Sequence, residues 1–67
     1  MIKWKRIEAG EYISNDERFL IYKTWNRVYG DHWLLRDKNE SNYYHGLYHE
    51  RTLFDCKLKA EGILSAE

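Results

Sequence analysis

Three histidines, His32, His45 and His49, and one cysteine, Cys56, are the side chains best suited to hold a metal or act as a nucleophile. A zinc site needs four such ligands converging at about 2.0–2.3 Å. His45-x-x-x-His49 would put two imidazoles on one side of a helix, four residues apart. Gly46 and the tyrosines around it argue for a loop instead, so no metal is assigned. Cys56 falls between Leu53 and Ala60 on an apolar stripe, where a cysteine acts as a small packing residue. A reactive thiolate would need an open, electropositive site, and only Lys57 and Lys59 supply charge nearby. The carboxylates Asp16 and Glu17 sit in a turn with no pocket to raise a pKa. No glycine-rich phosphate loop is present, and a chain this short has little material for a deep cleft. The expectation is a protein that is not an enzyme, with no cofactor and no small-molecule substrate.

The elements that would position any other site follow from composition and periodicity. Sixty-seven residues make one domain with one small core. A lone cysteine cannot form an internal disulfide and suits a reducing, cytoplasmic setting. Three Trp, six Tyr and two Phe supply burial in its place, each on the order of 150–250 Å². The basic start of the chain has no apolar run after it, and no stretch approaches the roughly 20 apolar residues that span a bilayer. Asn39-Glu40-Ser41 matches a glycosylation sequon by chance in that setting. Eleven basic residues balance eleven acidic ones, which lowers the expectation of phosphate-driven nucleic-acid binding.

Residues 10–14 read as a short strand ending in the polar turn Asn15-Asp16-Glu17. Residues 18–25 (RFLIYKTW) are rich in β-branched and aromatic side chains and make the strongest strand. Residues 26–31, with Gly30, make the next turn, and 32–37 the third strand. A polar and aromatic loop follows, with room for a short extra strand near Tyr43-Tyr44 or Leu47-Tyr48. Thr52 with Asp55 three residues on resembles a capping box, opening a helix over 53–61 that Gly62 would stop. The expected fold is therefore α+β: a three-stranded antiparallel meander against one C-terminal helix.

Leu53, Cys56, Ala60 and Leu64 share a helical stripe, and the small residues let it lie close on a sheet. Tyr12, Phe19, Ile21, Trp33 and Leu35 are assigned to the sheet face beneath it. That leaves Glu11, Ile13, Leu20, Tyr22, Thr24, Leu34 and Arg36 on the other face. Either the N-terminal segment, with Ile2, Trp4 and Ile7, folds over this surface, or a partner does. Phe54 and Leu58, four apart on the outer side of the helix, are covered by the 43–48 loop or form a second contact surface.

Trp4-x-Arg6, Gly10-x-Tyr12, Phe19-x-Ile21, Trp33-x-Leu35 and Thr52-Leu53-x-x-Cys56-Lys57-x-x-Ala60-Glu61 together resemble a pattern of small phage and prophage proteins, W-x-R, G-x-Y, W-x-L, then T-L-x-x-A-K-x-x-A. Cys56 stands where that pattern has alanine. The same sheet-plus-helix plan is similar to the arm-binding N-terminal domains of conjugative-transposon integrases and to plant ethylene-response DNA-binding domains, whose sheets enter the major groove. The resemblance implies phage origin and a possible duplex-DNA contact by Tyr22, Thr24 and Arg36, with Arg18, Lys23 and Arg27 at the edges. Two expectations result. The first is a phage-derived module that binds a protein or a second copy of itself through Tyr22, Thr24, Leu34 and Arg36 or through Phe54 and Leu58, modulating a phage or host machine such as a defence system. The second is an integrase or excisionase accessory that binds double-stranded DNA.

Overall fold

The computed structural model describes residues 2–40 and 46–67. Five strands precede one helix: β1 (Trp4–Glu8), β2 (Glu11–Ser14), β3 (Phe19–Asn26), β4 (Gly30–Asp37), β5 (Leu47–Glu50) and α1 (Leu53–Ser65). The strands form one antiparallel meander in the order β1-β2-β3-β4-β5. The three expected strands are its centre, and the sheet gains a strand at each edge. One of the two sites proposed for an extra strand, Leu47-Tyr48, lies within β5. The other, Tyr43-Tyr44, lies outside the described residues, as does His45.

The N-terminal segment does not fold over the second face. It pairs edge-on with β2, Trp4 opposite Ser14 and Arg6 opposite Tyr12, with an irregularity between Arg6 and Glu8. The alternation Ile2-Lys3-Trp4-Lys5 is the period-2 signal for this strand, and Gly10, at φ 78°, makes the turn that follows. Burial holds the strand down: Ile2 and Trp4 pack against the core, the Trp4 and Phe19 rings lie 6.5 Å apart, and the Ile2 N–H donates to Glu61 Oε1 at 2.9 Å.

The core is Phe19, Ile21, Leu35, Cys56 and Ala60, with Tyr12, Trp33, Tyr48, Leu53, Ile63 and Leu64 packed around it. The inward assignment of the sheet therefore holds, and so does the helical stripe. Thr52 caps the helix, its Oγ1 accepting from the Asp55 N–H at 3.0 Å. Gly62 does not stop it. The helix continues to Ser65 and is capped by Ala66, because Ile63 and Leu64 extend the apolar stripe onto the core. Burying one such side chain contributes roughly 1.5–3 kcal/mol, which exceeds the roughly 1 kcal/mol cost of glycine inside a helix.

A charge cluster closes the end of the sheet remote from the β3–β4 turn. Arg18 pairs with Asp37 through Nε at 3.0 Å and through a second nitrogen at 3.1 Å, and also binds Glu67 near the C-terminus. Its guanidinium lies 4.8 Å from the centre of the Phe19 ring. Ser14, buried in the β2–β3 turn, donates to Asp16 at 2.6 Å and accepts from the Phe19 N–H at 2.9 Å. No described helix is long and apolar enough to cross a membrane.

Candidate functional site

Register places the predicted sheet residues together. Tyr22 lies between Glu11 and Leu34, with His49 next in the row, and Leu20 lies between Ile13 and Arg36, with Leu47 beyond. Thr24 sits opposite His32. Tyr22, Thr24, Leu34 and Arg36 thus share the face that α1 leaves open, since the helix packs on the side of Phe19, Ile21 and Leu35. Leu34 is nevertheless only 6% exposed. The face is mixed, with Ile13, Leu20 and Leu34 among Glu11, Tyr22, Thr24 and His49, and Arg36 exposed.

The basic residues assigned to its edges do not join it. Arg18 is spent on Asp37 and Glu67, two charges that hold the guanidinium protonated more firmly than usual. Lys23 pairs with Trp33 and so stands on the helix side of the sheet. Arg27 sits in the β3–β4 turn. The alternation of a pleat settles these positions: a shift of one residue changes the face.

The helix pair Phe54 and Leu58 is open as expected, 67% and 53% exposed. Residues 43–45 of the loop expected to cover it lie outside the described residues. Phe54 and Leu58 line a shallow groove with Ile2, Trp4, Lys57 and Glu61, whereas Tyr48 packs at the core beneath Lys59, whose Nζ lies 4.9 Å from its ring centre.

Among the described residues the most exposed apolar group is one the sequence does not single out. Trp25, Val28 and Tyr29, at the end of the β3–β4 hairpin, are 63%, 83% and 60% exposed. The turn that carries them is held from within, because Asn26 Oδ1 accepts from the N–H groups of Val28 and Tyr29 at 3.0 and 2.7 Å. Gly30, at φ 68°, completes it. The available signal was a Val-Tyr pair inside a turn bounded by Asn26 and Gly30, where polar residues are the rule.

Two of the three histidines meet beneath this hairpin. His32 is buried; its Nδ1 donates to the Gly30 carbonyl at 2.9 Å and its Nε2 lies 2.8 Å from His49 Nδ1. A carbonyl can only accept, so His32 Nδ1 carries hydrogen and the two imidazoles share one further proton between them. Tyr29 stacks on His49 at 5.0 Å and 17° and contacts His32 at 5.3 Å. Cys56 is on the other side of the sheet, in the core. Burial, with smaller contributions from Glu50 and Asp55, pushes its thiol up to about 12, which removes the thiolate a nucleophile or metal ligand requires. Among the described residues no three His, Cys, Asp or Glu side chains converge as a metal site.

A cleft of about 930 Å³ runs past this histidine pair, lined by Val28, Tyr29, Asp31, His32, His49, Glu50, Arg51 and Asp55. Tyr29, His32 and His49 contribute rings to the lining, and Asp31 of β4, Glu50 of β5 and Asp55 in the first turn of α1 contribute carboxylates. Such a site can bind. No protein-family model, curated protein or solved structure matches this chain.

Proposed function

We propose that this chain is a non-enzymatic module that binds a protein partner through the β3–β4 hairpin end and the adjoining open sheet face. The observation that carries the proposal is the internally braced hairpin tip with Trp25, Val28 and Tyr29 in solvent. Tryptophan and tyrosine are the side chains that dominate interface energetics. A turn ordered before binding loses little entropy on contact. Tyr22, Thr24, Leu34 and Arg36 lie on the face that carries His49 and, stacked on it, Tyr29, whereas Trp25 projects from the opposite face of β3, so the hairpin end joins the two faces. The likeness to small phage proteins and the lone thiol support a phage-derived module of the cytoplasm, acting on a host or phage machine.

Duplex DNA across the sheet is a second reading. It is favoured by the row Lys5–Ile13–Leu20–Arg36, which carries a basic residue on β1 and another on β4. Neutral net charge and the engagement of Arg18 count against it.

The test compares immobilised wild type with Trp25→Ala and with Tyr22→Ala/Arg36→Ala in capture from source-cell lysate, with circular dichroism to verify folding. The expected result is a specific protein retained by wild type and lost with Trp25→Ala. Equal retention by all three proteins refutes the proposal. Duplex binding that weakens steeply with salt and fails with Arg36→Ala replaces it with the DNA reading.

A further inference from the structure

The two ends of the sheet treat their acidic residues differently. At the Arg18 end three carboxylates are engaged: Asp37 and Glu67 by the guanidinium, and Asp16 by Ser14 and the Arg18 N–H. At the hairpin end Asp31, Glu50 and Asp55 line the cleft without an ion pair or a side-chain hydrogen bond to any described residue. They come from three separate elements, so the charge is a property of the assembled cleft and not of one acidic run. Beside His32 and His49, Arg51 is the one Lys or Arg of the lining, which leaves three carboxylates against one guanidinium.

The geometry points to an extended, basic segment of a protein partner as the occupant of this cleft, with cationic side chains set between the Asp31, Glu50 and Asp55 carboxylates and the Tyr29 ring. The inference rests on the protein-binding reading above and names the chemistry of the partner. Three features favour this occupant. The carboxylates do not converge as they would around a metal ion, and a wider spacing suits guanidinium or ammonium groups carried along a chain. Tyr29, exposed and stacked on His49, offers a ring face to a cation beside the carboxylates. The cleft also runs along sheet edge that no described strand pairs: β5 pairs with β4 only from Trp33 to Arg36, so Asp31 and His32 have no described strand beyond them, while the Gly30 carbonyl is held by His32 Nδ1. A peptide main chain can use such an edge, whereas a small polyamine cannot. Nucleic acid is repelled by the same carboxylates.

The experiment uses the whole chain and a fluorescein-labelled oligoarginine peptide in anisotropy titrations at low salt. Oligoglutamate serves as the charge control, and spermine as the competitor without a main chain. We compare wild type with Asp31→Asn/Asp55→Asn, with Tyr29→Ala, and with Glu8→Gln/Glu17→Gln, which removes equal charge away from the cleft. Binding is expected with wild type and the Glu8/Glu17 variant, and weaker by about tenfold, or ~1.4 kcal/mol, with Asp31→Asn/Asp55→Asn. Tyr29→Ala is expected to weaken it as well, and added salt to weaken all of them. Equal loss in both charge-removing variants, no oligoarginine binding, or displacement by spermine at matched charge each overturns the inference. Loss of partner capture by Trp25→Ala without any oligoarginine binding overturns the basic partner but leaves the hairpin interface standing. Cleft-specific oligoarginine binding with a capture profile indifferent to Trp25→Ala and Tyr22→Ala/Arg36→Ala does the reverse.

Discussion

Replacing Arg18 with methionine removes the guanidinium but keeps most of the aliphatic stem, so packing against Phe19 is largely retained. The charge it abandons is Asp37, whose side chain is 8% exposed and which receives two bonds from Arg18. The Asn39 N–H, at 3.0 Å, is the remaining donor to that carboxylate in the described structure. Breaking a fully buried pair costs about 3–5 kcal/mol. Residual solvent contact at Asp37 and Arg18, the Asn39 bond and the exposed position of Glu67 reduce this to about 2–3 kcal/mol. A domain of this length has a total stability of roughly 3–10 kcal/mol, so the fraction lost is large. At about 4–8 °C per kcal/mol for a small domain, the melting temperature should fall by on the order of 10–20 °C. Urea unfolding followed by tryptophan fluorescence measures the effect, and Trp4, close to Phe19, is a local reporter. Arg18→Met/Asp37→Leu should recover most of the loss, since the buried charge is then gone. Acid adds a second readout. Arg18 holds Glu67 below the ordinary carboxylate range, and the Ser14 hydroxyl, then the Arg18 N–H, do so for Asp16. Carboxylates with lowered pKa stabilise the fold above their unfolded values, 4.5 and 3.8, and lose that contribution as pH falls through the folded ones. The Arg18→Met variant should therefore lose stability less steeply below about pH 4.5 than wild type does. A loss under about 0.5 kcal/mol for Arg18→Met, or a double variant no better than the single one, would show that the pair does not carry the C-terminal end of the sheet.

Gly46→Ala should destabilise by about 1–3 kcal/mol in chemical unfolding, because an added Cβ would lie 2.9 Å from the Asp37 carbonyl oxygen and 3.0 Å from Glu40 Cβ. A neutral effect would mean that the chain entering β5 can shift without cost. With its thiol pushed up to about 12 by burial, Cys56 should resist an aromatic disulfide reagent near pH 8 in the native state and react stoichiometrically in urea. Rapid native labelling would place the side chain outside the core.

Local pattern alone was enough for the central strands and the helix. The β-branched and aromatic run from Phe19 to Trp25, the alternation through Trp33 and Leu35, and the helical spacing of Leu53, Cys56 and Ala60 each identify an element and its inward face, because backbone geometry sets those periods before any partner is met. The capping residue Thr52 was equally local. Tertiary structure decided the remainder. Trp4–Glu8 became a strand because the exposed edge of β2 and the burial of Ile2 and Trp4 were available to it. Gly62 stayed helical because the core received Ile63 and Leu64. The His32–His49 pair, separated by 17 residues, and the cleft lining of Asp31, Glu50 and Asp55 exist only once β4, β5 and α1 are brought side by side. Spacing along the chain encodes which way a side chain points, whereas which side chains meet depends on pairing between strands that are distant in sequence.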